Sequence, residues 1–154
     1  YYQFTLSRLL DKDVESDGVS PAEIFCLDRS AMEKILTGLN INHPDFITRL
    51  AQKCPCPVYT TLDIKQAMQS GRDYVEYLQP MQGHLQNVHI CDYDHEGMLY
   101  MPLKGEFDFD SFFDRLVSFG YQGPVIIEVY NKCYTELKEL EACYRKLSEM
   151  LEGK

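Results

Sequence analysis

The chain predicts an α/β fold with a parallel sheet, and three observations carry that expectation. Apolar stretches rich in β-branched residues alternate with stretches of helical periodicity along its 154 residues. The strand candidates are nearly unbroken apolar runs rather than alternating ones, the pattern of strands covered on both faces. Each of them also carries one chemically capable residue: Asp28 in "EIFCLD", Asp63 in "VYTTLDI", His89 in "NVHICD" and Glu128 in "PVIIEVY". A buried carboxylate or imidazole needs a partner.

In chain order, "YYQFTLSRLL" has helical periodicity and "DKDVESDGVSP" breaks it with charge, Gly and Pro, so residues 1–21 read as a helix and loop ahead of the first strand, near 23–28. "HPDFITRLAQKC" reads as a helix starting near Pro44, with Phe46, Ile47 and Leu50 on one side. The second strand falls near 58–63. "KQAMQSG" is one or two helical turns, and "RDYVEYLQPM" a short amphipathic helix bearing Tyr74, Val75, Tyr77 and Leu78. The third strand lies near 86–91. In "DFDSFFDRLVSFG", Asp110 or Ser111 is the expected N-cap, Phe112, Leu116 and Phe119 share a face, and Gly120 is the stop. A fourth strand near 124–129 precedes a long closing helix with Leu137, Leu140, Tyr144, Leu147 and Leu151 at helical spacing. No low-complexity segment or linker divides the chain, so residues 1–154 read as a single domain.

Composition removes several function classes. With 45% hydrophobic residues the chain can build one ordinary core. Twenty-four acidic against 15 basic residues give a net charge of −9, a surface that repels nucleic acid and anionic membranes. Neither a long apolar run nor a basic-then-apolar leader is present, so a soluble, cytoplasmic protein is expected. The opening "YYQF", without methionine, suggests a trimmed piece. Of the six cysteines, Cys26, Cys91 and Cys133 lie in or beside apolar strands and read as reduced core residues. Cys54 and Cys56 in "KCPCP" lack a second cysteine pair and make a weak metal motif.

The four singletons stand 35, 26 and 39 residues apart, close to the roughly 31 residues per strand-helix unit of an eight-unit barrel. Parallel strands bring such residues to one sheet edge, where three carboxylates and an imidazole make a divalent-metal site. Each has a plainer reading. Asp28 could cap a helix starting at "LDRSAM", Asp63 could end a strand before a turn, His89 could be a satisfied core histidine, and Glu128 could be ion-paired with a Lys or Arg. In the polar loop after His89, Asp92 is the best residue to orient a ligand.

"TLDIKQAMQSG", "NVHICDYDHEG", "MPLKGEFDFDSFFDRLVSFGYQGPVIIEVY" and the closing helix resemble the carboxyl-terminal half of the sugar phosphate isomerase/epimerase family, the xylose isomerase-like TIM barrels. The resemblance covers residues 57–150 in ordered motifs, and residues 1–56 loosely through "IFCLD" as the fifth barrel strand. It implies a partial (β/α) barrel of about four parallel strands with outer helices. It also implies a divalent ion, Mn²⁺, Mg²⁺ or Zn²⁺, held by Asp63, His89, Glu128 and Asp28, the last standing where the family usually has glutamate. The departures are Gln66 and Tyr100, where the family often has histidines, and Leu103, where its turn has glycine.

The implied chemistry is isomerisation or epimerisation of a sugar or sugar phosphate. The ion polarises the carbonyl, and Glu128 and Asp28 remove and return the adjacent proton through an enediolate. Two alternatives stay open: an apurinic-site endonuclease of the same superfamily, disfavoured by the acidic surface and the missing histidines, and a non-catalytic binding or structural domain with a degenerate metal site. Half a barrel exposes sheet edges, so self-association or pairing with the missing half is expected, and catalysis by this chain alone is not.

Overall fold

The computed structural model describes residues 43–54 and 57–154. The expected helix and loop of 1–21, the strand near 23–28, Asp28, Cys26 and Cys56 lie outside them. The chain divides into two compact units, one reaching Thr60 and including Gln79–His84, the other formed by Thr61–Leu78 and Leu85–Lys154. In the first, helix α1 (Phe46–Lys53) buries Phe46, Ile47 and Leu50, the face expected from their spacing. His84 bonds through Nδ1 to the Val58 carbonyl at 2.8 Å, and its own carbonyl accepts from the Thr60 amide, also at 2.8 Å.

The second unit carries the sheet. Strands β1 (Thr60–Asp63), β2 (Leu85–Ile90) and β5 (Val125–Ile127) form a parallel three-stranded sheet in the order β1-β2-β5. Helices α2 (Ile64–Gln69) and α3 (Val75–Leu78) follow β1, and α4 (Phe109–Ser118) precedes β5. A 3₁₀ turn (Asn131–Cys133) and α5 (Leu137–Glu152) follow it. Strand-helix alternation around a parallel sheet is the architecture of part of a (β/α) barrel.

Burial is less even than the apolar runs implied. All of β1 is buried, but β2 and β5 carry half-exposed positions and Ile126 is 41% exposed. Among the described residues the outer side of β5 has no strand partner. Beside the sheet core of Leu62, Val88 and Ile90, a second large part of the core lies around α4. Phe107, Phe109, Phe112, Phe113 and Tyr74 meet edge to face or tilted, with Tyr74 and Phe112 ring centres 4.9 Å apart. Burial of Phe109, Phe112 and Phe113 contributes about 1.5–3 kcal/mol each.

Helix ends follow local chemistry. The N-cap of α4 is Asp108, not Asp110 or Ser111: its carboxylate accepts from the Ser111 amide at 3.0 Å and the Ser111 hydroxyl at 2.7 Å. The helix stops at Gly120 as expected. That residue takes φ +78°, and the amides of Gly120 and Tyr121 close onto Val117 and Leu116 carbonyls, a Schellman ending. The buried line of α5 runs through Cys143 and Leu147, while Leu137, Tyr144 and Leu151 lie on an exposed line of the same periodicity.

A short hairpin, β3 (Asp92–Tyr93) with β4 (Leu99–Tyr100), stands where the sequence suggested only a polar loop. In the turn after β4, Leu103 adopts φ +69°, the left-handed conformation that a glycine takes without steric cost. No helix among the described residues is long and apolar enough to cross a membrane.

Candidate metal centre

Strand register brings the site residues together. In the parallel β2–β5 pair His89 faces Ile126 and Ile90 faces Ile127. Side chains alternate along a strand, so Glu128, two residues beyond Ile126, falls on the face that carries His89. The Glu128 amide still donates to the Ile90 carbonyl at 2.8 Å, which keeps the residue in line just past the end of β5. His89 Nδ1 lies 3.0 Å from Glu128 Oε2. Asp63 closes β1, and one ligand atom from each of Asp63, His89 and Glu128 falls within 4.8 Å of the others. Asp28 lies outside the described residues.

The donor set fits a divalent ion. Opposite ligands at about 2.1 Å from a metal stand about 4.2 Å apart, so small side-chain rotations close the three donors around one ion. A second observation concerns Asp63. Its Oδ1 accepts the Gln66 amide at 3.1 Å and so caps α2, but its buried Oδ2 accepts no hydrogen bond. An orphaned buried carboxylate oxygen beside an imidazole and a second carboxylate is what a cation would complete.

The two carboxyls differ in proton affinity. Burial raises the pKa of Asp63, and Glu128 pushes it the same way against the Gln66 amide and Lys65. Glu128 feels burial too, but Lys65 and His89 outweigh it and hold the group below its ordinary value. With 46% of its side chain exposed against 22% for His89, Glu128 is the member of the group most open to solvent or a ligand. It is therefore not the deeply buried carboxylate that "PVIIEVY" suggested.

Sequence reading missed Lys65. Its side chain is 5% exposed, and Nζ lies 3.8 Å from Asp63 Oδ2, 3.6 Å from Glu128 Oε2 and 5.2 Å from the centre of the Tyr130 ring. Burial works to lower its pKa, but Asp63 and Glu128 override this and raise it. The adjacent Gln66, at the position where the family often has histidine, is exposed and supplies Asp63 only with its amide. The available signal was charge balance: a lysine two residues after a strand-end aspartate, in a helix start whose other residues, Ile64, Gln66, Ala67 and Met68, carry no charge. The ion-pair reading of Glu128 is thus part of the geometry, beside the metal reading.

Asp92 does not orient a ligand. It is fully buried, and its carboxylate accepts four backbone amides: Tyr93 (2.8 Å) and Phe107 (2.9 Å) on Oδ1, Lys104 (3.1 Å) and Gly105 (2.9 Å) on Oδ2. A Cβ at residue 105 would collide with Asp92 Oδ1 and stand 2.8 Å from the Tyr93 carbonyl oxygen, so the loop closes only around glycine. Tyr100 donates its hydroxyl to Asp94 at 2.9 Å and serves the hairpin. Burial pushes the Cys91 thiol up to about 12 and that of Cys143 to about 11, as inert core thiols; Cys133 is half-buried. An open groove of about 520 Å³, lined by residues including Arg72, Tyr74, Tyr93 and Arg115, contains none of the three donors.

Comparison with known proteins agrees with this architecture. A family model described as a xylose isomerase-like TIM barrel matches residues 33–153. The chain is similar to the inosose dehydratase of Geobacillus kaustophilus (strain HTA426), 28% identical over 147 residues, which cover 80% of this chain and 48% of that protein. The chain therefore spans about half the length of the curated relative it matches.

Proposed function

The chain belongs to the xylose isomerase-like TIM-barrel family, and on that premise we propose that it contributes the metal half of a sugar or sugar phosphate isomerase/epimerase. The observation that carries this reading is the convergence of Asp63, His89 and Glu128 around an unsatisfied buried oxygen. Those three residues would hold Mn²⁺, Mg²⁺ or Zn²⁺, whose contribution when bound is Lewis-acid polarisation of the sugar carbonyl. Glu128, favoured in its ionised form and reachable from solvent, takes the proton from the carbon beside that carbonyl and returns it, through an enediolate. His89, 3.0 Å away, orients it. Asp28 is proposed as the second proton carrier and fourth ligand. An inosose dehydratase among the relatives extends the class to loss of water, which can begin with the same proton abstraction.

The test uses the full-length protein with ketoses and their phosphates in D₂O, following deuterium incorporation beside the carbonyl by NMR with Mn²⁺ present. Exchange is expected in the parent and absent in Glu128→Gln at unchanged circular dichroism. Exchange retained in that variant would refute the role given to Glu128.

One observation favours a second reading, a non-catalytic domain that keeps the fold. The Lys65 ammonium already pairs with both carboxylates and offsets one of their two charges without an ion. Failure of the full-length protein to bind Mn²⁺ calorimetrically would select it. Under either reading the open edge of β5 is proposed to be covered by a second copy or by the rest of the barrel, and a monodisperse monomer of this chain in light scattering would contradict that.

A further inference from the structure

The surroundings of Lys65 carry an inference beyond the ligand set. Its ammonium is nearly enclosed, and its two carboxylate contacts, 3.8 Å to Asp63 Oδ2 and 3.6 Å to Glu128 Oε2, are at ion-pair rather than hydrogen-bond distance. The oxygen it approaches on Asp63 is the orphaned one, and the oxygen it approaches on Glu128 is the one that His89 contacts. The cation thus addresses the same lone pairs that a divalent ion would need. A second seat for the ammonium is the Tyr130 ring, 5.2 Å from Nζ to its centre. Four methylenes give the side chain the reach to move between the two.

We propose that Lys65 is a tethered competitor for the divalent ion: its ammonium occupies the charge of Asp63 and Glu128, weakens ion binding, and swings toward Tyr130 when an ion enters. The physical reason is charge. Two carboxylates and a neutral imidazole offer an incoming dication a net −2; with the ammonium between them the offer falls to −1, and like charges a few ångströms apart repel in a poorly screened site. A neutral side chain of equal length removes the competition and keeps the packing. The inference rests on the metal reading above and deepens it by naming what sets the site's affinity.

Mn²⁺ affinity measured by titration calorimetry on the full protein provides the test, with Lys65→Met as the neutral, unbranched replacement. Lys65→Met is expected to bind Mn²⁺ at least about tenfold more tightly than the parent. The exposed Lys146→Met on α5 is the control for net charge and should leave affinity unchanged. Equal or weaker binding in a folded Lys65→Met overturns the competition, as does an equal gain in Lys146→Met. Absence of binding in both the parent and Lys65→Met overturns the metal centre itself, a different outcome from the first. Should Lys65→Met fail to fold, the parent still decides: acetylation of Lys65 by an activated ester, mapped by mass spectrometry, is expected to rise severalfold at saturating Mn²⁺. Unchanged labelling sinks the proposal.

Discussion

Asp63 and Asp92 invite comparison, because one closes β1, the other lies just beyond β2, and both are buried, 6% and 0% exposed. The loop beyond β2 uses Asp92 to full capacity: four amides converge on two oxygens, and residues 92–107 are folded around them. The end of β1 uses half of Asp63. One oxygen caps α2, while the other accepts no hydrogen bond and stands among the charges of Lys65 and Glu128. A filled carboxylate organises backbone, whereas an unfilled one beside His89 and Glu128 is a place for something else to bind.

The largest effects should separate the two aspartates under one substitution. Asp92→Asn turns amide protons toward backbone N–H donors that cannot accept them, and is expected to cost about 2–4 kcal/mol in urea denaturation. The amides of Lys104, Gly105 and Phe107 should lose hydrogen-exchange protection with it. Asp63→Asn keeps the capping oxygen and leaves Lys65 its contact with Glu128, so a loss below about 1.5 kcal/mol is expected, together with loss of Mn²⁺ binding. Equal destabilisation by both would erase the distinction.

Sequence resolved one of these aspartates better than the other. Asp63 was legible because a lone carboxylate in an apolar strand has to be explained, and His89 and Glu128 stood out for the same reason. The β1, β2 and β5 regions, the α1 face and the Gly120 stop were equally readable, since apolar runs and a left-handed stop are local signals. Asp92 was misread because its partners are main-chain amides up to 15 residues away, which no side-chain pattern announces. Lys65 was missed because a lysine in a first helical turn ordinarily points to water. The α5 stripe was half right, for Leu137, Tyr144 and Leu151 share a seven-residue repeat with each other but not the line through Cys143 and Leu147 that packs inward.

Smaller effects refine the comparison. Leu103 sits in the loop that Asp92 holds, at φ +69°. Replacing it with Gly relieves about 1–2 kcal/mol of steric cost against about 0.5–1 kcal/mol of added chain entropy, so a net gain of about 0.5–1 kcal/mol is expected in thermal or urea melts. A loss would mean that the Leu103 side chain matters more than its backbone.

Glu139 extends the contrast to the surface: its Oε1 accepts from the Thr135 hydroxyl (2.7 Å) and amide (2.9 Å) and from the Glu136 amide (3.0 Å) at the start of α5. These bonds, the Thr135 hydroxyl first, hold its pKa down at about 2, below the ordinary 4.5. A depressed carboxylate stabilises the fold above its ordinary pKa and ceases to do so as pH falls through its folded one. Glu139→Gln should therefore melt below the parent at pH 7, with the gap narrowing from about pH 4.5 toward pH 2. A gap of constant size across that range would rule out the charge as its source.

Gly105 and Asp92 have a consequence for how such a chain can vary. Because a side chain at 105 would meet the Asp92 carboxylate, neither position can be exchanged alone without losing the amides that the other arranges. In a saturation library the two should tolerate almost nothing. In a selection for folding alone, position 66, whose exposed side chain anchors no backbone, should accept many replacements, and the enclosed position 65 those unbranched side chains that match lysine in length. The fold is then inherited through one region while ion affinity is free to drift in another, so a lineage can lose or regain its chemistry without unmaking the scaffold.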